Sequence, residues 1–164
     1  MYCQQCGQPT EEREVDGRMR PVCTSCGAVT WIDPKLAVAV VIEHDGKVLL
    51  GLRADGAREA GKWGIPAGFV DRGEVVEDVA LREMAEETGL AVDLGPVLTV
   101  VSHPGEPVVL VVYAATGFSG EPRPGDDLAE IGWFAPDALP EMAFAHDADI
   151  LATWGSWRAL RHAS

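Results

Sequence analysis

Positive charge is scarce in this 164-residue sequence: lysine occurs only at Lys35, Lys47 and Lys62, and 13 Lys+Arg stand against 26 Asp+Glu, a formal charge of −13. A long polyanion is bound by basic side chains that release its counterions, so nucleic acid is not an expected partner and small or metal-complexed anions are favoured. No apolar run approaches the ~20 residues that cross a bilayer, and Met1-Tyr2-Cys3-Gln4 has neither the basic nor the apolar stretch of a secretory signal. No membrane partner is expected, and the cytoplasm is the expected location. Cysteine is absent after residue 26, which confines thiol chemistry to the N-terminal segment. Disorder is not indicated, because hydrophobic residues at 47% and charged residues at 24% match ordinary globular usage.

What the N-terminal segment does contain is Cys3-x-x-Cys6 and Cys23-x-x-Cys26. Two such pairs at this separation suit a four-thiolate zinc site. Gly7 and Gly27 follow the pairs and let the backbone turn tightly enough for both thiolates to reach one ion. In a reducing compartment disulfides are disfavoured. A ribbon of about 30 residues buries little surface, so the metal must supply folding energy. With four sulfur ligands the ion has no open position, and its role is structural.

Composition changes after Trp31-Ile32-Asp33-Pro34, which places a boundary between a ribbon at 1–33 and a larger domain at 34–164. Leu36 to Glu43 is a Val-rich run of strand length, and Asp45-Gly46 then signals a tight hairpin into Lys47–Leu52. Residues 53–62 read as a loop. Further strands are expected at 91–101, 108–115 and 130–134, and helices at 75–88 and 146–160. Ile150, Trp154 and Trp157 recur at helical spacing, as on a face packed against a core. Strands flanked by two helices indicate an α/β sandwich.

The first of these helices breaks local rules. At about 100° per residue, Glu86 and Glu87 lie roughly 60° and 40° either side of Glu83, so the three carboxylates share one face with Val76, Val79 and Ala80. Glu83 and Glu87 repel at i,i+4, and Glu86 and Glu87 oppose the helix dipole just ahead of the expected C-cap, Gly89. A solvated acidic patch would not explain the registry with the apolar stripe. A hard divalent cation, Mg²⁺ or Mn²⁺, would neutralise the cluster. Asp78 and Arg82 also form an i,i+4 pair.

Gly68, Glu74, Arg82, Glu83, Met84, Glu86, Glu87, Gly89 and Leu90 fill every defined position of Gly-x5-Glu-x7-Arg-Glu-U-x-Glu-Glu-x-Gly-U, where U is apolar, and in this the chain resembles the Nudix hydrolases. The resemblance implies an α/β/α sandwich with a mixed sheet and hydrolysis of a nucleoside-linked pyrophosphate. By position, Glu83, Glu86, Glu87 and the carbonyl of Gly68 would hold Mg²⁺ or Mn²⁺, and Arg82 would orient a carboxylate. The base would be one of the box glutamates or an acid from a later loop, where Asp126, Asp127 and Glu130 lie.

The whole chain is similar to Nudix enzymes that carry a zinc ribbon. The branch that cleaves NADH or removes NAD caps is marked by a Ser-Gln-Pro-Trp-Pro-Phe-Pro segment; here Ser102-His103-Pro104-Gly105-Glu106-Pro107 stands instead. Members acting on FAD and ADP-ribose look similar at Cys3–Gly7, Asp33-Pro34-Lys35 and Ile42–Leu50, so FAD and ADP-ribose are the expected substrates. NADH or NAD-cap removal is the alternative within the class, and a non-catalytic zinc-ribbon regulator that only binds nucleotides is the alternative outside it. Trp31, Trp63, Phe69, Tyr113 and Trp133 are candidates to stack on a base, although each also suits a core. The expected partner is a small nucleotide, and the expected self-association, if any, a homodimer.

Overall fold

Residues 35–42 alternate between two cores, and that alternation organises the larger part of the molecule. In the computed structural model, which describes residues 1–162, Val38, Val40 and Ile42 pack into one apolar cluster while Ala39 and Val41 pack into another. A strand buried on both faces reads as a continuous hydrophobic run, which is how this segment looks in the sequence. The chain divides into two compact units, Met1–Pro34 and Lys35–Ser164.

The first unit is an antiparallel hairpin of β1 (Thr10–Val15) and β2 (Arg18–Cys23), turning at Asp16 and Gly17 with φ of 52° and 74°. Neither strand alternates in hydrophobicity, so neither was legible as a strand. In the second unit, β3 (Lys35–Val41) lies parallel to β9 (Val108–Ser119), which pairs antiparallel with β8 (Ala91–Val101). The short β7 (Ala67–Phe69) closes the other side of β3, giving the order β7-β3-β9-β8. A second sheet contains β4 (Glu43–His44), β5 (Lys47–Arg53), β6 (Trp63–Gly64) and β10 (Leu128–Phe134). Asp45 and Gly46 take positive φ at the β4–β5 turn, as the Asp-Gly signal requires.

Helix α1 (Val76–Thr88) covers the first core through Val79, Ala80 and Met84; α2 (Asp147–His162) covers the second through Ile150, Leu151 and Trp154. This is the α/β/α sandwich with a mixed sheet. Gly89 ends α1 in the left-handed conformation, φ 71°, its N–H donating to the Ala85 carbonyl at 3.1 Å. Strand β9 runs four residues past the expected end at 115, because its pairing with β8 continues through Asp93–Gly117, Val92–Phe118 and Ala91–Ser119. Among the described residues, no helix is long and apolar enough to cross a membrane.

Candidate active site and metal centre

In the first unit the four thiols converge. Cys3 Sγ lies 3.7 Å from Cys26 Sγ, and Cys6 Sγ lies 3.5 Å from both Cys23 and Cys26. Disulfide sulfurs would be about 2.05 Å apart, whereas four sulfurs arranged tetrahedrally at ~2.3 Å from an ion sit about 3.8 Å from one another. The observed spacing fits the second arrangement. Gly7 and Gly27 adopt φ of 72° and 73°, and their N–H groups return to the carbonyls of Cys3 and Cys23. The N–H groups of Cys26 and Ser25 point at Cys23 Sγ, 3.4 Å away, and lower its thiol to about 6. These donors favour thiolate, the form a metal takes.

In the second unit, α1 is laid against β7 by its buried face, so its inward carboxylates meet strand backbone. A side chain at Gly68 would overlap the Glu83 carboxyl; only glycine allows that approach. Glu87 Oε2 accepts the Ala67 N–H at 3.0 Å. Burial pushes Glu87 up to about 7; Glu83 and Asp127 add repulsion, while the Ala67 N–H and Arg53 pull the other way. Burial also raises Glu83, opposed by Arg82. Glu86, one residue from Glu87, remains 59% exposed.

Arg82 reaches Glu83 Oε1 and Glu86 Oε2, each at 2.9 Å, and Glu74 Oε1 at 3.5 Å. Its i,i+4 partner is thus Glu86, toward the C-terminus. Glu74 in turn accepts the Asp71 N–H at 2.7 Å, which ties the loop before α1 to the same guanidinium. Among the described residues, the four cysteines are the only set of three or more ligating groups whose atoms all lie within 4.8 Å of one another.

The loop after β9 docks on the end of α1. The N–H of Arg123 donates to the Thr88 carbonyl at 2.8 Å and that of Gly125 to the Glu87 carbonyl at 2.9 Å; a side chain at Gly125 would strike the Glu86 carbonyl. Among the later-loop acids, Asp127 acts electrostatically on Glu87. Glu130 is exposed on β10, opposite Leu52.

Beside these carboxylates opens a cleft of about 600 Å³, lined among others by Arg53, Gly68, Phe69, His103, Phe144 and Asp147. Of the five aromatic candidates, Phe69 lines it and is 54% exposed. The others have other neighbours: Trp31 lies under Arg20, Trp63 against Phe134, Trp133 beside His44 and Phe118, and the buried Tyr113 donates its hydroxyl to Glu77. Sequence reasoning missed Arg53, His103, Phe144, His146 and Asp147. Phe144 and His146 are parallel, 5.5 Å apart at 2°, with His103 5.8 Å from His146 and the guanidinium of Arg53 5.3 Å from the Phe144 centroid. These are loop and element-end residues without periodicity, and no sequence signal would have joined them.

Residues 33–154 match the NUDIX domain family model, and residues 1–31 match the Nudix N-terminal model. The chain is 35% identical over 132 residues to an ADP-ribose pyrophosphatase of Methanocaldococcus jannaschii, covering 78% of this chain and 77% of that protein. A NAD-capped RNA hydrolase NudC of Pseudomonas aeruginosa is 29% identical over 143 residues, 86% of this chain, and the match spans 50% of that protein's length. In structure, a NUDIX hydrolase from Nitrosomonas europaea superposes with a TM-score of 0.83 at 30% identity, covering 92% of this chain and 87% of that one. An intact glutamate box seated against β7, with both family models matched along the chain, makes this a Nudix pyrophosphohydrolase with an N-terminal zinc ribbon.

Proposed function

We propose that this enzyme hydrolyses the diphosphate linkage of ADP-ribose and FAD, giving AMP with ribose 5-phosphate or FMN. The observation that carries the reading is the inward pair Glu83 and Glu87, held against the Gly68 and Ala67 backbone beside a cleft large enough for a nucleotide. Two acids raised by burial are unfavourable unless a cation meets them. Glu83, Glu87, the Gly68 carbonyl and Glu86, once released from Arg82, would hold Mg²⁺ or Mn²⁺ through hard oxygen donors. Bound there, the ion supplies charge neutralisation at the phosphates and an activated water. Arg82 positions Glu83 and Glu86, and the Asp127 charge acts on Glu87 and helps hold its carboxyl up.

For the ribbon, Cys3, Cys6, Cys23 and Cys26 would hold one structural Zn²⁺. The favoured substrate class has the support of the relative named for ADP-ribose, which the chain matches over 77% of its length. NADH or NAD-cap cleavage is the second reading, favoured by the NudC relatives; against it stands the missing Ser-Gln-Pro-Trp-Pro-Phe-Pro segment. Cytoplasmic location suits free thiolates. The deciding assay is kcat/KM for FAD, ADP-ribose, NADH and diadenosine polyphosphates at one pH with Mg²⁺ or Mn²⁺. NADH exceeding both FAD and ADP-ribose tenfold would reverse the choice, and nucleotide binding without turnover would favour the regulator. Sedimentation equilibrium of the zinc-loaded chain tests for the homodimer.

A further inference from the structure

Among the described residues Asp147 is the one charged side chain in the buried core, 2% exposed, and the hydrolytic chemistry above makes no use of it. It opens α2 and lines the cleft. Its Oδ2 accepts the Phe144 N–H at 3.3 Å while its own N–H donates to the Phe144 carbonyl at 3.1 Å, so the carboxyl is held in one orientation. No protein donor among the described residues reaches Oδ1; His146 Nε2 stands 3.9 Å away, beyond hydrogen-bond length. Among the described residues the side-chain atoms sealed from solvent without a partner are Arg20 Nε and Arg158 Nε, so Asp147 Oδ1 instead opens on the cleft, where a carboxylate oxygen that no protein donor takes can accept from a ligand.

The chemistry of that ligand follows from the surroundings. Burial pushes Asp147 up to about 6, with the Phe144 N–H and Arg53 opposing, so near neutral pH it is mostly an anion and repels phosphate. Arg53 acts on both Glu87 and Asp147, which places the anion-binding ground beside Arg53 and leaves Asp147 to the uncharged part of a substrate. The neighbouring walls are Ile65, Ala143, Ile150 and the parallel rings of Phe144 and His146, apolar and flat. They suit the edge of a planar heterocycle better than a hydrated sugar.

We propose that Asp147 is a specificity-determining residue whose free Oδ1 accepts the exocyclic amine of a 6-aminopurine, selecting adenine nucleotides over their 6-oxo counterparts. The assignment rests on the pyrophosphatase reading of this cleft and deepens it. A 6-oxo purine would set acceptor against acceptor at the same point, the kind of mismatch that discriminates strongly.

The test compares kcat/KM for ADP-ribose and inosine diphosphate ribose, in parallel with calorimetric binding of AMP and IMP, in the zinc-loaded full chain and in Asp147→Asn and Asp147→Ala. The wild type is expected to prefer the amino compound at least tenfold in both measurements. In Asp147→Asn the amide oxygen stays on the Phe144 N–H and turns the NH₂ to the cleft, so the preference should fall at least tenfold or invert. Asp147→Ala should abolish it. Equal preference in all three proteins, or equal losses on both bases with a lowered melting temperature, would reduce Asp147 to a helix-start contact and overturn the proposal. Absence of turnover on any nucleotide would instead sink the pyrophosphatase reading, while the AMP and IMP binding ratio would still decide Asp147.

Discussion

Replacing Glu87 by Gln should stabilise the ion-free enzyme and inactivate it, and both effects follow from where the carboxyl sits. Burial raises Glu87 from an ordinary 4.5 to about 7 in the folded state. A carboxyl raised on folding contributes stability that is fully present below the unfolded value and lost as pH climbs through the folded one, so the wild type weakens between about pH 4.5 and 7. At ~1.4 kcal/mol per unit the full loss is about 3 kcal/mol, less whatever solvent screening remains at a site not wholly enclosed. Gln has the same shape, keeps an oxygen for the Ala67 N–H and carries no charge. In Mg²⁺-free buffer with zinc retained, its advantage over wild type should be about 1 kcal/mol at pH 5.5 and about 3 kcal/mol at pH 8, the larger figure worth roughly 6–12 °C in melting temperature at this chain length. Adding Mg²⁺ should raise the wild-type melting temperature at pH 8 and move the variant much less, by mass action on the folded state. Turnover of ADP-ribose should fall by orders of magnitude. Calorimetric melts at the two pH values, with and without Mg²⁺, check all three effects. A variant no more stable at pH 8 than wild type, or one that hydrolyses at the wild-type rate, would refute the placement of a buried ion-binding charge at Glu87.

Gly68→Ala should force the Glu83 carboxyl away from β7 with little loss of stability, because what must move is the end of a flexible side chain; steady-state kinetics should show kcat reduced at least a hundredfold at saturating Mg²⁺ while the melting temperature changes little. Gly125→Ala should lift the 121–127 loop from the end of α1, seen as faster hydrogen exchange at the amides of Arg123 and Gly125 and a lower kcat. Metal analysis should find one tightly held zinc per chain, and Cys23→Ser should release it and unfold the ribbon, since structural zinc supplies about 10–16 kcal/mol of folding free energy in such peptides; a zinc-free protein with Cys3 and Cys6 in a disulfide would contradict the ribbon.

How much of this was legible depended on sequence distance. The box occupies residues 68–90, so helical geometry alone could set Glu83, Glu86 and Glu87 on one face, and two Cys-x-x-Cys pairs announce their own knuckles. β3 is visible because a strand buried on both faces must be apolar throughout. Which glutamates turn inward was another matter: Glu86 and Glu87 differ by one residue, and the seating of α1 on β7 makes one exposed and the other a buried partner of Ala67. Among Asp126, Asp127 and Glu130 the sequence left the choice open; the bonds of Arg123 and Gly125 to the end of α1 bring Asp127 within electrostatic reach of Glu87. Arg53, His103, Phe144 and Asp147 share one cleft only because the β5–β10 pairing and the start of α2 fold distant segments together. Local periodicity records which face of an element is buried, and so it determined the helix, the strand and the face that carries the glutamates; it carries no information on which loops meet across the sheet, and that was decided by tertiary packing.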